Sequence, residues 1–375
     1  MPDPVSKRSG KPRLPGTTIT SSELAQQLGL SRATVSIVLN GQAKSRKLTP
    51  ETTRRVLEAA KAANYVPNRA ARSLRLSRSD GLGVIVADFR ADWAEQFLNG
   101  MLGVLDSTRF SPFVAVHRFD EARSRKELQT SLERRDEGIV CQPLPKQEEV
   151  YRQIAAAGTP LVLLGDYPAR MSGCSYVVWD SGPAAAVAVR HLIEVGRRRI
   201  AYLGVDYPMV MSRRRYAAYV STLREAGLVP ERKWEYVAPA TTNLDAVMTA
   251  ALRQFFGDPD SRPDAIFCLN DGLAMPLLQR LEAEGIRVPH DVAVMGMGDL
   301  PFTGYAGIGL STVREPITEI GREAALSVLQ LIEHPEQGPV QKVIPSLDLR
   351  VRRTTMLRVP DGGDVPVPPE QRWRP

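Results

Sequence analysis

Arg32 opens a short run, Arg32-Ala33-Thr34-Val35-Ser36-Ile37-Val38-Leu39, whose Val35, Val38 and Leu39 fall on one side of a helix. Arg32, Ala33, Ser36 and Ile37 fall on the other. An outward arginine in the first turn of such a helix can donate two hydrogen bonds to O6 and N7 of guanine, the commonest base-specific contact in a major groove. Ile37 has neither donor nor acceptor, so it can touch only thymine methyls or pack passively. A second set of polar residues follows short apolar runs: Asp88-Phe89, Asp166-Tyr167 and Asn270-Asp271. Carboxylates at such places accept hydrogen bonds from ligand hydroxyls. Residue patterns for catalysis are lacking. There is no GxSxG elbow and no P-loop, and Gly296-Met297-Gly298 lacks the third glycine of a dinucleotide fingerprint. His117, His191, His290 and His334 are scattered, and Cys141, Cys174 and Cys268 lie far apart with no CxxC, so no catalytic residue, metal site, disulfide or cofactor is expected.

The elements that must present Arg32 are legible around it. Thr20-Ser21-Ser22-Glu23 has capping-box spacing, Leu24 and Leu28 share one helical face, and Gly29 ends that helix. Ser31 caps the next helix, and Gly41 follows Asn40 as a stop. Two short helices joined by a tight glycine-containing turn form a helix-turn-helix, whose second member fits a major groove about 12 Å wide. Thr49-Pro50 starts a third helix, with Val56, Leu57, Ala60 and Ala63 at core spacing and Arg54, Arg55 and Lys61 toward solvent. Charge agrees with a polyanionic partner: residues 1–80 carry 15 Lys/Arg against 5 Asp/Glu, a net +10, which leaves the other 295 residues at −3.

At 375 residues, with 43% hydrophobic and 24% charged residues, the chain suits a globular protein of two or three domains. No apolar run approaches the ~20 residues that span a bilayer, and the basic amino terminus has no apolar signal core, so a cytoplasmic protein is expected. From Gly81 onward, short buried strand-like runs alternate with helices. Leu82–Ala87, Phe113–Val116, Gly138–Cys141, Leu161–Leu164, Tyr176–Val178, Ile200–Gly204 and Ala265–Leu269 are the strands. This alternation predicts parallel sheets covered by helices on both faces, with ligands outside the carboxyl ends of the strands.

The run Ser31-Arg32-Ala33-Thr34-Val35-Ser36, then Leu39-Asn40-Gly41, then Asn64-Tyr65-Val66-Pro67-Asn68-Arg69-Ala70-Ala71-Arg72-Ser73-Leu74, resembles the LacI/GalR family of bacterial transcription regulators. His191-Leu192-Ile193, Gly196 to Ala201, Asn270-Asp271, Leu310 to Val313 and Leu349 to Thr354 resemble the family's core. The resemblance covers nearly everything from Thr17 to Leu357. It implies an N-terminal all-α helix-turn-helix head followed by an α/β, periplasmic-binding-protein-like core of two doubly wound lobes. It places base contacts on Arg32, Ala33 and Ile37 and phosphate contacts on Thr34 and Ser36, with Asn40 also on the DNA side. Ile37 departs from the arginine usual in the family, and Gln42 to Leu48 is about four residues longer than usual, offering Lys44, Arg46 and Lys47 either to solvent or to phosphate. Asn68, Arg69, Ala71 and Leu74 match the hinge helix, which orders in the minor groove when two copies meet, with Leu74 as the wedge between base pairs.

In the core, an effector site is expected at Asp88, Phe89 and Asp166, which follow strands, and at Arg215 and Asp271, which the resemblance implies. Arg215 would grip hydroxyls or a carboxylate, although the run Arg213-Arg214-Arg215 can also be a solvated face, and Asp271 can also be a helix cap. Phe89, Tyr167 and Trp179 are candidates to stack on a sugar ring or to be core. The expected boundaries are 1–16 disordered basic tail, 17–66 head, 67–79 hinge and linker, 80–357 two-lobed core and 358–375 disordered tail. The first lobe is expected at 80–178 plus 310–338 and the second at 179–309 plus 339–357. The expected partners are a pseudo-palindromic duplex operator, a small effector of the sugar type and a second copy of the chain, with no membrane. The expected function is repression of a carbohydrate-utilisation operon; a solute-binding protein and a sugar-acting enzyme are the alternatives.

Overall fold

The computed structural model describes residues 19–65, 78–88, 93–165, 173–240 and 242–356. Expectations at Asn68, Arg69, Ala71, Leu74, Phe89, Asp166 and Tyr167, and at both tails, lie outside those residues. The chain divides between Ser79 and Asp80 into two compact units.

The first unit is built on three helices, α1 (Ser21–Leu28), α2 (Arg32–Leu39) and α3 (Pro50–Ala62). Each begins with a hydroxyl that satisfies a free backbone amide: Thr20 in a complete capping box with Glu23, Ser31 accepting from the Thr34 amide, Thr49 accepting from that of Thr52. Gly29 closes α1 at φ 64°, a conformation that a side chain would strain. Ile19, Leu24, Ala25, Val35, Val38, Val56 and Ala60 form the core. Leu57 departs from its expected core place and is 50% exposed. It lies one residue, or about 100°, past Val56, and among the described elements α3 packs mainly on α1 and α2, so the face they bury is too narrow for both. Arg54, Arg55 and Lys61 are exposed as expected, and the Arg55 guanidinium also donates to the carbonyl of Leu28 at the end of α1.

The second unit contains two six-stranded sheets. In the first, β1 (Gly81–Val86), β2 (Ser111–Val116), β3 (Gly138–Cys141), β4 (Leu161–Leu164), β5 (Ser175–Val178) and β11 (Gln341–Val343) lie in the order β11-β5-β4-β3-β1-β2, all parallel. In the second, β6 (Ile200–Asp206), β7 (Glu235–Pro239), β8 (Ala265–Cys268), β9 (Ala293–Gly298), β10 (Ser311–Arg314) and β12 (Leu349–Arg350) lie in the order β12-β10-β9-β8-β6-β7, with only β12 antiparallel. Strand order reverses between β1 and β3 and again between β6 and β8. Such switch points leave a crevice at the carboxyl ends of the strands. The central strands are buried on both faces, because helices cover both sides.

Helices α4 (Trp93–Leu105), α5 (Glu121–Glu133), α6 (Glu148–Ala156) and α11 (Ile317–Glu333) cover the first sheet; α7 (Ser181–Glu194), α8 (Val210–Glu225), α9 (Leu244–Phe256) and α10 (Asp271–Ala283) cover the second. Two of the expected lobe boundaries are corrected. Residues 311–314 belong to the second lobe, since β10 pairs with β9, and residues 341–343 belong to the first, since β11 pairs with β5. The chain therefore crosses between lobes after Val178, after Arg314 and after Val343. Strands of three or four residues carry no mark of which sheet they join; that is settled by α11, which packs on β3, β4 and β5 and brings β11 back with it.

Candidate functional site

On the first unit, Arg32 and Ala33 are exposed at the start of α2, as a reading face requires, while Ser36 and Ile37 are half-buried. Thr34 shares a hydrogen bond of 2.9 Å with the Ser31 hydroxyl, so its side chain supports the cap as well as facing outward. Asn40 has a local duty: its amide donates to the Ser36 carbonyl at 2.6 Å and to the Ser36 hydroxyl at 3.2 Å, closing the end of α2. The long stretch after α2 winds into turns held by its own backbone, with Ala43 and Leu48 against the core and Lys44, Arg46 and Lys47 exposed.

In the second unit a cavity of about 280 Å³ opens between the lobes at the carboxyl ends of the strands. Asp88, Arg215 and Asp271 all line it. The arginine run resolves by helical phase: Arg213 is exposed, Arg214 pairs with Asp180 at 3.0 Å, and Arg215 turns inward to 1% exposure. There Nη1 donates to the Leu269 carbonyl at 2.7 Å and Nη2 to Glu315, and the guanidinium lies 5.8 Å over the ring of Trp179. Glu315 stands on the crossover between β10 and α11, so Arg215 of the second lobe holds the segment that leads into the first. Trp179 itself is buried and donates to the Ser346 carbonyl, which makes it a wall behind Arg215, away from the cavity lining.

Asn270, and not Asp271, caps α10, accepting from the Leu273 amide at 3.1 Å. Asp271 is wholly buried; its two oxygens accept from the Thr312 hydroxyl at 2.7 Å and the Leu300 amide at 3.1 Å. Gly296 makes room for this carboxylate, since a Cβ there would stand 2.1 Å from Oδ1. That gives the Gly296-Met297-Gly298 run a packing role. Burial pushes the Asp271 carboxyl up to about 6, against the two donated hydrogen bonds. The folded chain thus holds this proton more tightly than the unfolded chain, whose Asp titrates near ~4. Its stabilising contribution is full below about 4 and is lost as pH rises through about 6. Stability measured by denaturation from pH 4 to 7 should contain a falling component that Asp271→Asn removes; equal slopes in the two proteins would assign the titration elsewhere.

Sequence reasoning missed several lining residues. Gln142 and Glu315 each follow a strand directly, the same rule that singled out Asp88, and that rule applied to every strand would have found them. Gln142 accepts from the Ala87 amide at 2.9 Å, and its amide approaches the Met209 sulfur of the other lobe at 3.8 Å. Phe119 and Tyr207 stack across the lobes with centroids 5.3 Å apart. His117 is buried and neutral in tendency, burial lowering its pKa. Its Nδ1 accepts from the Phe119 amide and its Nε2 faces the Gln142 carbonyl, so it fixes both loops. The three cysteines are buried, away from this lining.

Residues 20–68 match the family described as bacterial regulatory proteins, lacI family, and residues 189–355 match the periplasmic binding protein-like domain. The chain is 26% identical over 339 residues to the HTH-type transcriptional repressor PurR of Haemophilus influenzae, covering 88% of this chain and 97% of that repressor. It is 25% identical over 321 residues to the ribose operon repressor of the same organism, covering 85% and 93%. Among solved structures, a LacI-family regulator from Silicibacter pomeroyi superposes with a TM-score of 0.76 at 25% identity, over 90% of this chain and 99% of that one. The transcriptional regulator CelR in complex with cellobiose superposes at 0.64 and 27% identity over the same shares. A helix-turn-helix unit followed by a two-lobed binding core defines a ligand-responsive DNA-binding regulator. The chain carries a lacI-family DNA-binding domain ahead of a periplasmic binding protein-like domain. Among the described residues no helix is long and apolar enough to cross a membrane.

Proposed function

We propose that this protein is a cytoplasmic, homodimeric repressor of a carbohydrate-utilisation operon, controlled by a small molecule bound between its lobes. The observation that carries the reading is the Arg215–Glu315 pair, which joins the floor of the cleft to a crossover between the lobes. A ligand that engages Arg215 acts on a segment shared by both lobes and so favours one lobe orientation. Operator and effector then oppose or assist each other reciprocally, because the coupling is thermodynamic. Two relatives bear names that refer to sugars, the ribose operon repressor and the cellobiose-bound regulator, and these support the carbohydrate assignment. We read Asp88, Arg215 and Asp271, with Phe89 and Asp166, as the effector set; Asp271 acts by holding Thr312 and Leu300 in place. The cleft binds and does not catalyse, so incubation with candidate sugars should give no turnover.

On the DNA side we read Arg32, Ala33 and Ile37 as base contacts, Thr34 and Ser36 as phosphate contacts, and Asn40 as the residue that shapes the helix end. Asn68, Arg69, Ala71 and Leu74 are read as the hinge. Two-fold operator half-sites require two heads. Selection of binding sites from random DNA should return a pseudo-palindrome. Arg32→Ala should then lose about 1–3 kcal/mol and relax preference at one base pair per half-site, while Lys47→Ala weakens all sequences alike. Unchanged base preference in the Arg32 variant would remove the reading-face assignment.

A further inference from the structure

Resting on the DNA-binding reading above, we infer that the turn at residues 42–48 is a preformed phosphate clamp. Lys44, Arg46 and Lys47 bind the backbone of duplex DNA at the rim of the groove that α2 reads, and so set how tightly the head binds without setting where. The turn is ordered by its own hydrogen bonds. The amides of Arg46, Lys47 and Leu48 donate to the carbonyls of Gln42, Lys44 and Ala43 at 3.1, 3.1 and 3.0 Å, and the Ser45 hydroxyl donates to the Gln42 carbonyl at 2.9 Å. Ala43 and Leu48 pack on the core of the head, so the three cations stand on a fixed backbone. All three are exposed, and among the described residues none has a hydrogen-bond or ion-pair partner for its side chain. Arg54, by contrast, pairs with Glu58, and Arg55 donates to the Leu28 carbonyl.

Two features show that these charges cost the fold something. Lys44 and Lys47 lie three residues apart on one turn, a spacing at which like charges repel. Lys47 also closes the turn at φ 54°, in the left-handed region, where Gly29 and Gly41 perform the same duty at φ 64° and 71° after α1 and α2. A glycine at 47 relieves both the strain and the repulsion, so the lysine points to a binding role. Its position fits the DNA backbone. A recognition helix contacts base edges through its amino end, and the eight residues of α2 carry the chain about 12 Å from Arg32, roughly the width of a major groove. The neutral donors nearby are engaged locally, Thr34 with Ser31 and Asn40 with Ser36. The full charges of the turn are therefore the stronger phosphate ligands at that end of α2, and phosphate contacts carry no base information.

The test measures affinity of the full-length protein against salt concentration, on a duplex selected from random DNA and on a duplex of scrambled sequence. Each phosphate contact contributes about 0.9 to the slope of log affinity against log salt, so replacing Lys44, Arg46 and Lys47 by Gln on both heads should lower its magnitude by about 5. Base preference in a repeated selection should stay the same. A fall of less than about 2 overturns the inference, as does an equal fall when three exposed cations of α5, Arg123, Arg125 and Lys126, are replaced by Gln instead. Lys47→Gly separates binding from folding: its melting midpoint should be unchanged or higher while its affinity for both duplexes drops. Undiminished affinity in that variant also counts against the clamp. Failure of the unaltered protein to bind either duplex at low salt would sink the DNA-binding reading itself, whereas binding with an unaltered slope in the triple variant sinks this inference alone.

Discussion

Arg215→Ala is expected to cost the second unit about 3–5 kcal/mol and to silence the response to effector. Removing one partner of a buried pair leaves the other charge uncompensated. Here Glu315, only 12% exposed at its side chain, would lose the guanidinium, and the Leu269 carbonyl would lose its donor. Chemical denaturation followed by circular dichroism measures the first effect, and calorimetric titration with the effector measures the second. The pair Arg215→Met with Glu315→Leu separates them. It should recover most of the stability, because replacing both members of a buried pair with apolar residues is often neutral, yet it should not recover effector binding. A loss below about 1 kcal/mol in the single variant would mean that the pair is solvated and is not the anchor of the crossover.

Gly321→Ala and Gly100→Ala should each destabilise the first lobe by about 3 kcal/mol, at or beyond the usual range for overpacking. Helices α4 and α11 meet backbone to backbone at these two residues. A Cβ on Gly100 would stand 2.0 Å from the Thr318 carbonyl oxygen, and one on Gly321 would stand 2.0 Å from that of Phe97. Neither obstacle is a side chain that could swing away, so the helices must separate and take the surrounding core with them. Gly103 lies three residues along the same helix, and a Cβ there meets nothing within 4 Å. Gly103→Ala should therefore be neutral or stabilise by up to about 1 kcal/mol, since alanine restricts the unfolded chain and favours helix. Thermal melts of the three variants test the contrast, and equal midpoints for Gly100→Ala and Gly103→Ala would refute the close approach.

The two glycines of α4 also show where reading the chain stops. Gly100 and Gly103 look alike in sequence, and only the position of α11, more than two hundred residues later, makes one indispensable and the other replaceable. The three helices of the first unit were legible, because their signals act within a few residues: the Thr20–Glu23 capping box, the Ser31 and Thr49 caps and the stop at Gly29 are hydrogen bonds and dihedral preferences between near neighbours. Leu57 was misjudged for lack of one tertiary fact, the width of the face that α1 and α2 cover. In the core, β3 and β4 were legible to the residue, since buried parallel strands are short apolar runs bounded by turns. Their alternation with helices was enough for the fold class.

What the sequence by itself did not carry was the assignment of partners at long range. It left Asp271 either to a ligand or to the cap of α10, because a carboxylate suits both; Asn270 takes the cap, and the closeness of Thr312, Leu300 and the bare backbone of Gly296 draws Asp271 inward. It placed Arg215 at the site by resemblance but could not pair it with Glu315, one hundred residues away, nor tell which lobe β10 and β11 would join. Local chemistry, read over three or four residues, determined the elements and the class of protein. The tertiary structure decided which polar groups spend their hydrogen bonds on one another and which remain for a ligand, because that depends on distances set by the packing of the whole unit.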